Sequence, residues 1–357
     1  MERFLAVLLV LIATLAIIHI GQAQSPSQQG FISLDCGLPG NEPSPYTDAG
    51  TELQFYSDAT YIQSGKTGTV ASNLESMLMK PYATVRFFPE GRRNCYNLPV
   101  EKGRKHLVRA WFFYGNYDGR DVKPKFALYL GPNPWATIDL EEQVNGTRVE
   151  ILHIPTSNSL QICLVKTGET TPMISALEIR PMGNNSYITN SGSLSLYFRV
   201  YLTKSEKYIR KPDDQYYLYS HFAEIQDLRD DETREFNMVW NDEVMSTEPV
   251  IPDKLEITTM LSVSPRTCAR GQCKFQLIRT NRSTLPPLLN ALEVFTVIQF
   301  PQSETNETEV AAMRNIESTY GLSRINWQGD PCFPQQLRWD ALDCSNTDIF
   351  TPPRITS

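Results

Sequence analysis

The feature that most constrains this chain is an internal repeat. Leu107–Leu130 can be laid on Tyr217–Trp240 without a gap, so that Phe112 meets Phe222 and Phe126 meets Phe236. Further on, Leu164-Val165-Lys166-Thr167-Gly168 is matched by Leu277-Ile278-Arg279-Thr280-Asn281, and Ile174–Ile179 by Leu289–Val294. A repeat of this kind means two copies of one supersecondary unit. Its runs are short and rich in aromatic or β-branched residues: His106–Tyr114, Phe126–Leu130, Val149–Ile154, Leu160–Val165 and Ala176–Ile179. Tyr117-Asp118-Gly119, Gly131-Pro132-Asn133-Pro134, Asn145-Gly146 and Thr167-Gly168 read as the turns between them. Short strands at this spacing predict a β-sandwich or barrel. In Leu160-Gln161-Ile162-Cys163-Leu164 the three aliphatic residues share one face.

The two copies are unequal. About seventy residues, from Phe31 on, precede the His106 strand, whereas only about thirty-five separate Met182 from Tyr216. The segment Ile209–Tyr216 runs from a charged turn straight into a strand. The second copy is therefore expected to lack several strands near Asp214, which leaves sheet edges open.

The first residues set the compartment. Met1-Glu2-Arg3 is a charged start, Phe4–Ile20 is almost wholly apolar, and Gly21-Gln22-Ala23 offers small residues for cleavage. This is the pattern of a secretory signal peptide cut after Ala23. The expected location is secreted or extracellular, or at the cell surface. The alternative is an uncleaved N-terminal membrane anchor. Sequons at Asn145, Asn184, Asn281 and Asn306 are glycosylation candidates in turn-like surroundings. Seven cysteines fit an oxidising compartment. Cys268 and Cys273 enclose a short turn, Cys332 and Cys344 bracket a Pro- and Trp-containing segment, and Cys36 with Cys95 is assigned as a third pair. Cys163 is then left as a buried thiol, or as one lacking its partner.

Composition excludes several function classes. The formal net charge is -7, from 33 Lys+Arg against 40 Asp+Glu, so there is no basic excess for nucleic acid. Four histidines, none at ligand spacing, argue against a zinc enzyme. Neither a cofactor nor a metal is expected. Adjacent carboxylates at Asp213-Asp214, Glu141-Glu142 and Asp230-Asp231-Glu232 read as solvated turn charges. Glycosidic cleavage needs two carboxyls facing each other across a bond. His153, within a strand, reads as a satisfied histidine, and no catalytic residue is assigned.

The C-terminal part changes character. Asn306-Glu307-Thr308-Glu309 predicts a capped helix start in which Glu309 reaches back. Val310, Met313, Ile316 and Tyr320 follow at helical spacing up to Gly321.

Phe31-Ile32-Ser33-Leu34-Asp35-Cys36-Gly37, Arg93–Leu98, Tyr114–Gly119 and His221-Phe222-Ala223-Glu224-Ile225 resemble the malectin-like ectodomain of plant leucine-rich-repeat receptor-like kinases. Gly329-Asp330-Pro331-Cys332 through Trp339 and Cys344 resembles the cap that opens the repeats there. The resemblance implies an all-β chain of two tandem malectin-like β-sandwich modules, 31–182 and 194–300. A short C-terminal α-helix and a truncated leucine-rich-repeat cap follow over 306–357, after a signal peptide over 1–23. The kinase motifs are absent from this sequence, so kinase activity is not carried over. Animal malectin, a glucose-disaccharide binder, has two adjacent aromatics in the loop that corresponds to Tyr114–Gly119. Here the pair is Asn116-Tyr117, and in the second copy it is Gln226-Asp227. Tyr114, Asn116, Tyr117 and Asp118 are the candidate ligand-binding residues, because aromatic faces and amide or carboxylate groups together suit a sugar. An Asp-Gly turn with packing tyrosines is the competing reading of the same loop.

The function expected is non-catalytic recognition outside the cell. The partner is a cell-wall or microbial glycan, a secreted peptide or a co-receptor ectodomain, and not nucleic acid. A membrane partner enters only if the N-terminal segment is uncleaved. The alternatives are a carbohydrate-active enzyme, or a splice or truncation product acting as a decoy or lacking function.

Overall fold

The structure is a computed structural model describing residues 28–143, 145–201, 215–268, 273–322, 326–345 and 351–356. The expected signal peptide, the Asp213-Asp214 join and the turn inside Cys268–Cys273 lie outside these residues. The chain divides into two units, Met1–Phe31 and Ile32–Ser357. In the first, the Phe31 N–H closes a turn on the Gln28 carbonyl.

The second unit holds the described strands. They are β1 (Ile32–Asp35), β2 (Tyr46–Thr47), β3 (Gln54–Ser57), β4 (Lys66–Thr69), β5 (Thr84–Phe87), β6 (Arg93–Pro99) and β7 (His106–Phe112). Next come β8 (Lys125–Leu130), β9 (Asn133–Asp139), β10 (Thr147–His153), β11 (Ser159–Lys166), β12 (Met173–Ile174), β13 (Ala176–Pro181) and β14 (Ser193–Tyr201). The last are β15 (Tyr216–Phe222), β16 (Phe236–Trp240), β17 (Glu243–Val244), β18 (Thr258–Leu261), β19 (Phe275–Arg279) and β20 (Ala291–Ile298).

Ten strands form one sheet in the order β18-β15-β20-β14-β10-β7-β13-β1-β3-β2. A four-stranded sheet runs β6-β11-β8-β9, and two three-stranded sheets run β12-β5-β4 and β17-β16-β19. Period-two alternation decides what each face buries. Val108, Ala110 and Phe112 of β7 and Leu177 and Ile179 of β13 point one way. They meet Tyr96, Phe126, Leu128, Ile162 and Leu164 of the four-stranded sheet in one core. A second core gathers Phe222, Phe236, Met238 and Val250. The phenylalanines aligned in the sequence meet in the same way in both places. Phe112 and Phe126 have ring centroids 5.6 Å apart at 67°, and Phe222 and Phe236 are 5.3 Å apart at 60°. Edge-to-face contact is the geometry the ring quadrupoles favour.

Two expectations are corrected. Cys95 pairs with Cys163, not with Cys36, and Cys36 is the free, buried thiol. The reason is register: Cys95 on β6 stands directly opposite Cys163 on β11. The other two expected pairs, Cys268–Cys273 and Cys332–Cys344, are formed. Asn133-Pro134 does not stay in a turn but opens β9, where Pro134 sits beside a register shift opposite Tyr129. A proline is tolerated there because it owes the ladder no N–H.

The C-terminal helix spans Glu307–Thr319, and the Asn306 side chain caps it by accepting from the Glu309 N–H at 3.3 Å. Glu309 does not reach back as expected. Its carboxylate takes the Ile355 N–H at 2.7 Å and the Arg354 guanidinium. Beyond the helix, Trp327 and Trp339 stack at 4.9 Å, with the Arg314 guanidinium 4.4 Å above the Trp339 ring. This segment docks on β6. Arg93, buried, donates to the carbonyls of Phe333, Asp330 and Leu337 at 3.0, 2.9 and 2.8 Å. The Asp330 carboxylate locks the turn by accepting from the Thr305, Cys332 and Phe333 N–H groups and the Thr305 hydroxyl.

Candidate ligand-recognition surface

The loop after β7 brings Tyr114, Asn116, Tyr117 and Asp118 together, and most of the polar bonds of Tyr114, Asn116 and Asp118 are made within the loop. Gly115 and Asn116 adopt φ of 52° and 51°, which folds the chain back on itself. Tyr114 is buried, and its hydroxyl donates to Asp118 Oδ1 at 2.5 Å while accepting the Val122 N–H at 3.1 Å. Asn116 Oδ1 takes the Asp121 N–H at 3.0 Å, and Asp118 Oδ1 takes the Arg120 N–H at 3.2 Å. The Tyr117 ring packs against Phe87 at 4.8 Å and edge-on to Tyr114 at 5.5 Å. Burial, first, and the neighbouring Asp118 push the Tyr114 hydroxyl up to about 12, so it stays a donor. The Tyr114 hydroxyl, Asn116 Oδ1 and Asp118 Oδ1 are therefore spent on the turn.

The other face of the ten-stranded sheet, turned away from the Val108–Phe112 core, carries a different and largely buried constellation. A row of alternating charge crosses six strands from β15 to β13. His221 Nε2 lies 3.3 Å from Glu293, and Glu293 is paired with Arg199. Arg199 reaches Glu150 at 3.0 Å, Arg109 reaches Glu150 at 3.0 Å, and Arg109 lies 3.5 Å from Glu178. Arg148 joins Glu150 at 3.0 Å and Arg180 pairs with Glu178. Strand pairing builds this row, since Arg109 stands opposite both Glu150 and Glu178 and Arg199 opposite Glu293. Burial alone would push the Glu293 carboxyl up. Hydrogen bonds from His221, Arg199 and Tyr187 outweigh it and hold the group at about 2, so it stays ionised.

Each end of the row has its own surroundings. At one end Tyr82 and Trp111 lie 4.7 Å apart, with the Arg148 guanidinium 5.3 Å from the Trp111 ring. At the other a cleft of about 290 Å³ opens beside Tyr187, Arg199, His221, Ile257, Asn290 and Glu293. Of the row's guanidinium groups, Arg148 is the most open, at 36% exposed beside Trp111, while Arg109 and Arg199 are 16% exposed and held by carboxylates. The row suits charge-complementary docking rather than proton transfer, because its carboxylates are already engaged by arginines.

Sequence reasoning missed this row. A signal for it existed, because the repeat places Glu178 and Glu293 at the same position of Ala176-Leu177-Glu178-Ile179 and Ala291-Leu292-Glu293-Val294. His153 is satisfied as expected: it contacts the Ser193 hydroxyl at 2.8 Å and Phe300, and burial pushes its pKa down to about 4. Three sequon asparagines, Asn145, Asn184 and Asn281, are exposed, while Asn306 is half-buried at its helix cap. Among the described residues, no helix is long and apolar enough to cross a membrane.

The malectin-like domain family model matches residues 34–216 and 208–297. A probable leucine-rich-repeat receptor-like serine/threonine-protein kinase of Arabidopsis thaliana is 59% identical over 417 residues, which takes in 100% of this chain and 47% of the relative. A receptor-like protein kinase of the same plant is 57% identical over 418 residues, covering 100% of this chain and 48% of the relative. The chain thus spans about half the length of the curated relatives it matches. The ANXUR2 extracellular domain from Arabidopsis thaliana matches in structure with a TM-score of 0.58 and 14% identity, over 76% of this chain and 97% of that one. The plant receptor-like kinase FER matches with a TM-score of 0.58 and 15% identity, over 75% and 96%. A chain from a crystal of the plant peptide RALF23 in complex with FER and LLG2 matches with a TM-score of 0.55 and 13% identity, over 75% and 95%. At such identity these structures speak for the fold alone, a β-sandwich. The chain belongs to the malectin-like family, and its whole length matches about half of leucine-rich-repeat receptor-like kinases of Arabidopsis.

Proposed function

We propose that this chain is a non-catalytic recognition module of the cell exterior, and that it binds a secreted peptide or the ectodomain of a co-receptor. The observation that carries the reading is the Tyr82–Trp111 end of the charged row, where the Arg148 guanidinium lies over the Trp111 ring and is 36% exposed. Long β-platforms with charged rows bind other polypeptides by complementarity, with no bond made or broken. The complex of RALF23 with FER and LLG2 gives a precedent within the fold. A glycan reading rested on the Tyr114–Gly119 loop, where the Tyr114 hydroxyl, Asn116 Oδ1 and Asp118 Oδ1 are occupied within the turn.

The two cores, the equivalent phenylalanine pairs and the two family matches support a reading as tandem modules, 31–182 and 194–300, followed by a repeat cap over 306–357. The second module is the shortened one. The alignment to a close relative extends over 417 residues, against the 357 of this chain. The four sequons and the N-terminal segment fit export of the chain.

The test is binding by the purified chain to immobilised secreted plant peptides and receptor ectodomains, with wall oligosaccharides in parallel. Saturable binding to a peptide or ectodomain, weakened by Arg148→Glu, is the expected result. New reducing ends from the oligosaccharides would overturn it.

A further inference from the structure

We propose that the open edge of β19 is a strand-acceptor site, which takes an extended segment of a partner polypeptide as an added antiparallel strand. The argument starts from the internal repeat. β8 lies between β9 and β11, and β16 lies between β17 and β19. Phe126 faces Lys166, and Phe236 faces Arg279, so β19 occupies the place of β11. β11 has a further neighbour, β6, held over seven registered pairs from Ser159↔Pro99 to Val165↔Arg93. Among the described residues, no strand pairs with the corresponding edge of β19.

The backbone shows which groups wait there. Thr280 donates to the Glu235 carbonyl and Asn241 to the Lys274 carbonyl, so even-numbered residues of this strand bond toward β16. Phe275, Leu277 and Arg279 therefore point their N–H and C=O groups to the open side. In the other half, the Lys166 N–H donates to the Arg92 carbonyl at 2.9 Å, at the position equivalent to Arg279.

The side chains agree. Ile162 and Leu164 of β11 are 0% exposed beneath Tyr96 and Leu98 of β6. Their counterparts Phe275 and Leu277 are only half-buried, and Ile278 is 47% exposed. An added strand would cover them, as β6 covers β11, and would give unpaired edge groups their partners.

Charge selects the occupant. Arg279 is exposed at the edge, and Lys274 and Arg282 flank it, exposed but with Asp242 at 3.7 Å and Glu235 at 3.1 Å as partners. A second copy paired through the same edge would bring a second Arg279 and no acidic partner for the first, so the occupant is a heterologous segment. It should carry large apolar residues at alternate positions and acidic residues at its flanks. The inference rests on the recognition reading and adds a second place, on the β17-β16-β19 sheet, and the class of ligand it takes.

The probe is a nonapeptide of residues 92–100 carrying Arg92→Glu, Arg93→Glu and Cys95→Thr, with an N-methylated version as control. Hydrogen exchange of the purified chain is followed with and without each peptide. The expected result is at least tenfold slower exchange at the Phe275, Leu277 and Arg279 amides with the first peptide and none with the second. Protection elsewhere, with these amides unchanged, would overturn the edge site while leaving the recognition reading intact. Failure of the peptide to bind would also overturn the edge site, while the reading itself stands or falls with the peptide and ectodomain binding assay. Slow exchange of these amides in the free chain, as monomer or dimer, would show the edge already covered and equally overturn it.

Discussion

Arg199 of β14 holds both oxygens of Glu150 on β10, with Nη1 at 3.2 and 3.0 Å, and so ties together the strands where the sheets of the two cores join. The Glu150 side chain is 0% exposed and Arg199 only 16%. Removing one partner of such a buried pair leaves a desolvated charge, which costs about 3–5 kcal/mol. Arg199→Met takes a guanidinium from both Glu150 and Glu293, while Arg109 and Arg148 still reach Glu150 and His221 and Tyr187 still reach Glu293. We predict a loss near the lower end of that range, read from urea unfolding. A change under 0.5 kcal/mol would show that the row adds nothing across the join.

Asp35 sets a pH dependence of opposite sign to that of Glu293. Burial pushes the Asp35 carboxyl up to about 6, against hydrogen bonds from Thr84 and from Tyr46 at 2.7 Å. The folded value lies above the unfolded one, so its contribution is fully present below about pH 3.8 and is lost as pH rises through 6. The shift corresponds to roughly 3 kcal/mol. Glu293, held at about 2 against 4.5, contributes above pH 4.5 and loses that contribution as pH falls toward 2. Asp35→Asn should raise stability at pH 7.5 by up to about 2 kcal/mol and flatten the profile between pH 4 and 7. Parallel profiles for the two proteins would refute it.

The disulfide pattern predicts a thiol count. Of seven cysteines, six are paired, and Cys36 is 0% exposed beside Tyr96 and Asp58. Burial pushes its thiol pKa well above the usual range, so it should be inert in the native chain. A thiol reagent should find none in the folded protein and one per chain in denaturant without reductant. Cys95 and Cys163 close a loop of 68 residues, and replacing both by alanine should cost about 4 kcal/mol. Two reactive thiols in the unfolded chain would contradict this pairing.

What the sequence made legible follows from how local each signal is. The five strand runs, the Phe112–Phe126 equivalence and the Asn306 cap rest on periodicity and spacing within a few residues. The structure shows them nearly in place. Cys95–Cys163 was not legible, because it depends on the register of two strands 68 residues apart. The charge row was hidden for the same reason. Arg109, Glu150 and Glu178 sit in separate strands, and only lateral pairing makes them neighbours. In the Tyr114 loop, residue types alone could not tell groups offered to a ligand from groups spent on the turn. The backbone at Gly115 and Asn116 decides it.

Docking of the C-terminal segment should hinge on Arg93 and Gly329. Arg93 donates to three carbonyls of the segment, and its burial pushes its pKa down to about 10, so it is held by these bonds rather than by a carboxylate. Gly329 has φ of 68°, and a Cβ there would stand 2.8 Å from Cys95 Sγ and 3.0 Å from Arg93 Nε. A side chain cannot fit without moving the disulfide or the guanidinium. Arg93→Met and Gly329→Ala should each release residues 326–345 from β6, at a cost of about 2–4 kcal/mol for the lost charged hydrogen bonds or the overlap. Arg92→Met, which removes one exposed bond at 3.3 Å to the Gln336 carbonyl, should change little. Limited proteolysis reads the difference: the two variants should be cut between 299 and 326 at least tenfold faster than the parent and the Arg92→Met control. The Trp327–Trp339 stack does not depend on β6, so its near-ultraviolet signal should survive in the released segment. Equal cleavage rates in all four proteins would mean that the segment is held by contacts other than Arg93.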